Sequence, residues 1–484
     1  MNHALMLFAP VVLFLGALLF IAFRLERVHA LEHYFVARRN LSGFFLAASM
    51  VATYGSVSSF VSGPGLAWHF GLSWVAFAAP QIMAGFFMFG LLGKKLALIG
   101  HRTGAITIVD VIGRRFASRA LARALALVML AAFVTMSAGQ LIGGARLFAA
   151  AVDLPYGVGL TLFALVTLYY TSLGGWKAVV ITDVLCALLM LAGMGLLYAE
   201  ILHLGGGLAP LLENLQRSDP SLMSFNAGGA LPLGLLFSAW VLVGFGTAAL
   251  PQSGVRCLTF SQSAALKRAL VLSTVLCGAL MIGMTLSGAL ARGVIDLPLE
   301  VMGGTTDHVI PYLIAHHMHP LVAGLTLLGP LAATLSTVSA LLLGAAGNLA
   351  RDVWPESSRG PRSASTARFA TLACGAAALA LAAFPNDVVA WINLNAFGAL
   401  EVAFAAPLLG GLFWRRATRA GAVASLAVGL AVYVSAVQKW LVFGTLHAVV
   451  PGLVAGIVAF VLVSLVTKPR SDAELVDFFR PRRA

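Results

Sequence analysis

The sequence predicts an all-α polytopic membrane protein of about thirteen transmembrane helices, built as one membrane domain over residues 1–484. Three observations carry that prediction. First, 60% of the residues are hydrophobic and only 10% are charged, whereas soluble domains carry about a quarter charged residues. Second, apolar stretches long enough to cross a hydrocarbon core of about 30 Å recur from end to end. No long polar stretch is left over for a soluble domain. Third, 27 of the 31 Lys and Arg residues lie in segments 24–40, 94–123, 256–268, 351–368, 415–419 and 468–483 or at Lys177. All of these fall on one side of the membrane if the spans alternate. Arg146, Arg217, Arg292 and Lys439 fall on the other. This is the positive-inside bias. It makes the net charge of +13 a matter of membrane orientation rather than nucleic-acid binding. It also puts the N-terminus outside and the C-terminus in the cytoplasm.

The first span, 5–23, lacks a preceding basic region, and its apolar run is too long for a signal-peptide core, so it reads as a retained helix. Spans follow at 42–66, 73–97, 121–150, 157–173, 178–202, 231–250, 267–291, 320–347, 369–384, 389–412, 419–438 and 446–467. The basic amphipathic stretch "VDVIGRRFASRALARALA" between the third and fourth reads as an interfacial helix. Residues 351–368 read as a polar cytoplasmic loop. Cys186, Cys257, Cys277 and Cys374 show no metal or redox spacing and read as apolar filler.

The second and seventh spans each carry helix breakers. These are Gly63, Pro64 and Gly65 in "SGPGLAWHFG", and Gly244, Gly246 and Pro251 in "LVGFGTAALPQSG". Five spans separate the two, so each opens a block of five, 42–202 and 231–412. The segments 1–23 and 419–467 are then peripheral. Odd-numbered blocks run through the membrane in opposite senses. Paired interrupted helices in corresponding positions are the sequence pointer to an inverted-repeat transporter, since unwound backbone at membrane depth survives only where it lines a cavity or ion site.

"LAATLSTVSALLL" packs Thr334, Ser336, Thr337 and Ser339 into one apolar span. Ala333, Ser336 and Thr337 stand at offsets of three and four and so share a helix face. Their hydroxyls, with a carbonyl near Ala333, suit Na+, which takes hard oxygen ligands as other hard cations do. The competing reading is that such hydroxyls only bond their own helix or knit helices together. The run "AHHMHP" (His316, His317, His319) places adjacent histidines that cannot both face one metal well. No nucleophile elbow, P-loop or dinucleotide fingerprint occurs, so nothing points to an enzyme.

Several segments together resemble the sodium:solute symporter family. "LAATLSTVSALLL…ARDVW" is similar to that family's ninth-helix motif. "SLGGWKAVVITDVLCALLML" is similar to its Gly-Gly-x-x-Ala-Val-x-x-x-Asp signature. "APLLGGLFWRRATRAGAVASLAVG" is similar to its closing segment. The resemblance implies a LeuT-type core of five plus five helices and residence in a bacterial inner (plasma) membrane. It also implies sodium-coupled import of a small organic solute by alternating access, with no obligate protein partner. Carried over by position, it implies a sodium site of the Ala52, Gly55 and Ala333 carbonyls with the Ser336 and Thr337 hydroxyls. A possible second cation would lie at Asp183 and Ser339, where Ala340 lacks the hydroxyl that other members carry. Asp183 has a second reading, orienting a loop at a helix end.

"VATYGSVSSFVSGPGLAWHFGLSWV", "QLIGGARLF", "NLNAFGALEVAF" and "VRCLTFS" resemble the pantothenate-transporting branch, with Gln252 departing from its pattern. The solute expected is therefore pantothenate or another carboxylate. The alternatives are another monocarboxylate, an amino acid, or a sensor on the same fold. Candidate solute contacts are Ser56, Ser58 and Ser59 at the break of the second span, Gln140, Trp240 and Glu401. Tyr54, Phe60 and Trp68 are candidate walls. Arg146 either meets the solute at the mouth or snorkels to headgroups. A Glu at the depth of Glu401 faces the bundle rather than lipid.

Overall fold

Among the described residues, thirteen spans emerge when each of two bent helix pairs is counted as one. Eleven further helices are long and apolar enough to cross a membrane on their own. The computed structural model describes residues 3–25, 42–152, 155–258, 262–353, 364–385 and 388–479. Residues 26–40 of the expected basic loop, and 354–363 of the polar loop, lie outside these. The unbent spans are Met6–Arg24, Leu72–Thr103, Arg119–Ala149, Tyr156–Leu173, Ala178–Leu204, Ser263–Ala291, Pro320–Asn348, Ser365–Ala382, Val389–Phe413, Arg419–Val437 and Val449–Val466. The fifth and sixth spans run on through a sharp break at Gly175 (φ 57°, ψ −169°), a conformation that glycine adopts without a Cβ clash.

Burial separates core from periphery. The ninth span has 83% of its apolar window inside the protein, against 33% for the twelfth and thirteenth. The ninth packs on the fourth, fifth and sixth spans, while the last two pair mainly with each other. The hydroxyl-rich run therefore sits in the centre of the bundle, away from lipid.

The second span is broken, though not at its Gly-Pro-Gly segment. The helix Gly43–Tyr54 ends at Gly55 (ψ 119°), and the chain resumes at Ser58–Phe70 with a bend of 64°. Pro64 lies inside the resumed helix, where the π-turn Ser58–Ser62 passes into the α-helix Gly63–Phe70. Gly65 lies against the backbone of Thr306, and Gly288 of the eighth span lies against the backbone of Pro64. These glycines permit close packing instead of interrupting the helix. The seventh span bends by 43° between Leu233–Ala249 and Pro251–Leu258, with Pro251 opening the second half.

The amphipathic stretch divides in two. Ile108–Phe116 is a short helix capped by Thr107, whose hydroxyl accepts from the Asp110 N–H at 2.9 Å. Residues from Arg119 onward already belong to the fourth span. The short helix buries its apolar face and also Arg115. The guanidinium donates to the carbonyls of Gly411 (2.7 Å), Trp414 (3.1 Å) and Ala417 (3.3 Å). It thereby satisfies carbonyls left open where the eleventh span ends. The stretch is thus an internal brace rather than an interfacial helix.

Candidate ion and solute site

The break in the second span frees carbonyls at the point where the ninth span presents its hydroxyls. Ser336 Oγ donates to the Ala52 carbonyl at 2.7 Å and lies 3.1 Å from the Ala333 carbonyl. Thr337 Oγ1 donates to the Gly55 carbonyl at 2.9 Å. All five residues are buried. Ser336 thus joins the Ala52 and Ala333 carbonyls, and Thr337 on the next position joins the Gly55 carbonyl. Each hydroxyl has lone pairs to turn toward a cation. Among the described residues Thr334, on the other face, bonds back to Pro330 at 2.7 Å, and Ser339 bonds back to Ser336 at 3.0 Å and to the Tyr170 side chain. Only part of the hydroxyl run therefore faces the break.

Directly past Gly55, a cavity with about 620 Å³ of atom-free space opens between the second, third, seventh, eighth and eleventh spans. Ser56, Ser58 and Ser59 supply its polar wall, with Gln81 and Asn393, and Tyr54, Trp74, Phe77 and Phe397 supply its apolar wall. Asn393 donates to Ser58 Oγ, while its own side-chain oxygen is buried without a protein partner. Asn393 was not singled out from sequence. Its signal was an amide at membrane depth, in a span that also carries Asn395 and Glu401.

Other residues fall elsewhere. Gln140 does not line the cavity. Its Oε1 accepts from the Val57 N–H at 3.0 Å, so it holds the unwound turn from behind. Gly143 lets the same helix close onto Val57. Trp240 is 46% exposed and packs toward Phe245, outside the cavity. Glu401 is fully buried one turn beyond Phe397 and lies against Gly246 of the seventh span, with no hydrogen-bond partner for either oxygen among the described residues. It faces the bundle without touching the cavity. Phe60 lies against Gly329 of the ninth span. Trp68 donates to the Ile295 carbonyl at 2.9 Å and carries the Arg292 guanidinium over its ring.

Arg146 neither reaches the cavity nor snorkels. It pairs with Asp307, which is wholly buried and also accepts from the Val389 N–H at 3.3 Å. This contact joins the fourth and eleventh spans to the segment before the ninth. Burial, aided by the nearby Arg146 charge, holds the adjacent His308 below the usual histidine range, so it adds no positive charge here at neutral pH.

On the far side of the sodium-type site a second network is buried. Asp183 is fully enclosed and accepts from Ser49 Oγ at 2.6 Å. Ser49 Oγ in turn accepts from Arg256 Nε at 3.1 Å, and Arg256 also donates to Thr53 Oγ1 and to the Gln252 carbonyl at 2.7 Å. Asp183 therefore lies deeper than a loop-orienting residue. Arg256, grouped by sequence with the cytoplasmic loop charges, is an internal residue at 1% exposure. A cavity with about 510 Å³ of atom-free space adjoins it, lined by Gln252, Ala340 and Asn348 among others. His316 stacks on Tyr312 at the outer surface, and the four cysteines are buried and free.

The family model described as the sodium:solute symporter family matches residues 34–429. The chain is 35% identical over 463 residues to the sodium/pantothenate symporter of Haemophilus influenzae, covering 94% of this chain and 95% of that protein. It is 36% identical over 439 residues to the sodium/pantothenate symporter of Escherichia coli, covering 89% and 90%. It is 27% identical over 474 residues to the osmoregulated proline transporter OpuE of Bacillus subtilis, covering 95% and 94%. Among solved structures it is similar to a substrate-bound, outward-open Na+-coupled sialic acid symporter. There the TM-score is 0.82 at 18% identity, covering 97% of this chain and all of that one, a likeness of fold.

Proposed function

We propose, given that this chain belongs to the sodium:solute symporter family, that it imports pantothenate together with sodium across a bacterial inner membrane. It is a multi-pass membrane transporter with a LeuT-type five-plus-five core. The observation that carries the reading is the meeting of the Ala52 and Gly55 carbonyls with the Ser336 and Thr337 hydroxyls, one residue away from the cavity wall at Ser56.

That adjacency supplies a coupling mechanism. Sodium binds first, from outside, and the Ala52, Gly55 and Ala333 carbonyls with the two hydroxyls take the place of its hydration shell. The ion pins the broken second span against the ninth. The turn Gly55–Ser59 then has one geometry, with Gln140 fixing Val57 from behind, and the serine hydroxyls and Asn393 point at the solute. A carboxylate beside Ser56 gains from the nearby cation, because opposite charges attract strongly in a water-poor site. Apolar walls at Trp74, Phe77 and Phe397 cover the rest of the molecule, and the amide of Asn393 suits a hydroxyl or amide partner. On this reading the Arg146–Asp307 contact is broken while the outer side is open for sodium and solute to enter, and its re-formation closes that side before the inner side opens.

Residues 42–202 and 231–412 are the two inverted repeats on this reading, each beginning with a bent span. The basic loops are cytoplasmic, which puts the N-terminus outside and the C-terminus inside. Uptake of radiolabelled pantothenate into proteoliposomes, with and without an inward sodium gradient, tests the reading. Sodium-driven accumulation is expected. Folded protein that accumulates a small monocarboxylate or proline but not pantothenate would replace the solute. Uptake indifferent to sodium would remove the mechanism.

A further inference from the structure

We infer that Arg256 is a tethered cation occupying the electrostatic role of a second sodium at Asp183, so that one sodium binds per protein. The inference rests on the sodium-symport reading above.

The geometry is specific. Arg256 stands on the second half of the broken seventh span, Pro251–Leu258, with 1% of its surface exposed. Asp183, on the sixth span, is wholly buried. Between them lies Ser49, which donates to Asp183 at 2.6 Å and accepts from Arg256 at 3.1 Å. A buried carboxylate demands a nearby positive charge or several donors. Here Ser49 donates to Oδ2 and Arg256 stands behind Ser49 as the nearby positive charge, while Oδ1 has no hydrogen-bond partner among the described residues. A mobile cation added at Asp183 would sit beside an enclosed guanidinium, where repulsion between like charges is barely screened. Ser339, the other residue assigned to a second cation, is engaged by the Ser336 carbonyl at 3.0 Å and by the Tyr170 side chain, and Ala340 offers none.

The same side chain links the ion site to both broken helices. Ser49 and Thr53 are four residues apart and share one face of the second span. Arg256 bonds to both. The opposite side of that turn gives the Ala52 carbonyl to Ser336 and the Thr53 carbonyl to Thr337, the latter at 3.5 Å. Arg256 is therefore a positioning residue. It holds the inner half of the second span to the inner half of the seventh, so the two move together when the ion leaves.

Equilibrium binding of 22Na+ to the purified full-length protein tests this without a solute. One site is expected for the wild type, and one for Arg256→Lys. Arg256→Gln leaves Asp183 without its cation and is expected to bind two sodium ions. The double variant Arg256→Gln/Asp183→Asn removes both charges and is expected to return to one. Two sites in the wild type, or a folded Arg256→Gln with one site, would overturn the inference. If Arg256→Gln does not fold, the wild-type count decides: one site supports the inference and two overturns it. No saturable sodium binding by folded wild type would instead fail the symport reading itself.

Discussion

Replacing Thr337 with Ala removes one of five oxygens from the proposed sodium site and leaves the other four in place. In the ion-free protein the Thr337 hydroxyl donates to the Gly55 carbonyl at 2.9 Å. An ordinary bond of this kind contributes about 1 kcal/mol net. With sodium bound, the hydroxyl faces a full charge, and interactions with charged groups contribute about 1.5–3 kcal/mol. The variant therefore loses about 0.5–2 kcal/mol more from the bound state than from the free one. At 1.4 kcal/mol per factor of ten, the half-saturating sodium concentration rises about 2- to 30-fold. The assay is initial uptake against sodium concentration in proteoliposomes, paired with a thermal melt of the same preparation. Thr337→Ser keeps the oxygen and should stay within about twofold of wild type. Thr337→Val keeps the bulk without the oxygen and should behave like the alanine variant. A folded Thr337→Val with unchanged sodium dependence, or a Thr337→Ser as impaired as Thr337→Ala, would refute the ligand assignment.

Gln140→Leu leaves the buried Val57 N–H without its partner. At about 1–3 kcal/mol for such a group, uptake efficiency should fall about 5- to 150-fold; an unchanged kcat/KM would show that the unwound turn holds itself. Gly246→Ala places a Cβ 2.5 Å from Glu401 Cδ and 2.5 Å from the Val241 carbonyl. Glu401 and the seventh-span break must then shift, and the maximal uptake rate should drop at least tenfold while a Gly16→Ala control, with open space at its Cβ, stays near wild type. Burial pushes His447, just before the last span, down to about 4, and its Nδ1 accepts from the Val449 N–H at 3.2 Å. The unfolded chain takes up that proton near pH 6.5, so the folded state loses stability as pH falls from about 6.5 to about 4, by up to about 3 kcal/mol. A melting temperature that declines over this window in wild type, and declines less in His447→Gln, is the expected result; parallel curves would exclude His447 as the cause.

How much of this was visible in the sequence depended on how local each signal was. The spans were legible because each is a continuous apolar run whose length the bilayer sets. Their ends move by a few residues where a cap or a π-turn decides. The face carrying Ser336 and Thr337 was legible because helical offsets of three and four hold whatever the tertiary surroundings. Gly63, Pro64 and Gly65 were named as the breakers of the second span, which instead breaks at Gly55, because glycine and proline serve two purposes in membrane helices. They interrupt some and let others approach closely. Gly65 against Thr306 and Gly288 against Pro64 belong to the second kind, and no feature of "SGPG" itself says so.

Charged residues show the deeper limit, which is physical. A charge count along the chain treats every Lys and Arg as solvated, since that is their usual state. Arg115, Arg146 and Arg256 are not solvated. Each is buried or nearly so because a partner distant in sequence waits for it: the carbonyls at the end of the eleventh span, Asp307, and Ser49 with Thr53. The cost of burying a guanidinium is offset only by that partner, so its depth is a property of the pair. The same holds for Gln140 and Glu401, polar residues at membrane depth that looked like solute contacts. One serves the backbone of the broken helix and the other sits against the second broken helix. Polar groups at depth in this chain mostly hold the two interrupted spans in shape. The polar residues that line the cavity, among them Ser56, Ser58, Ser59, Gln81 and Asn393, are on the proposed reading the ones that choose what is carried.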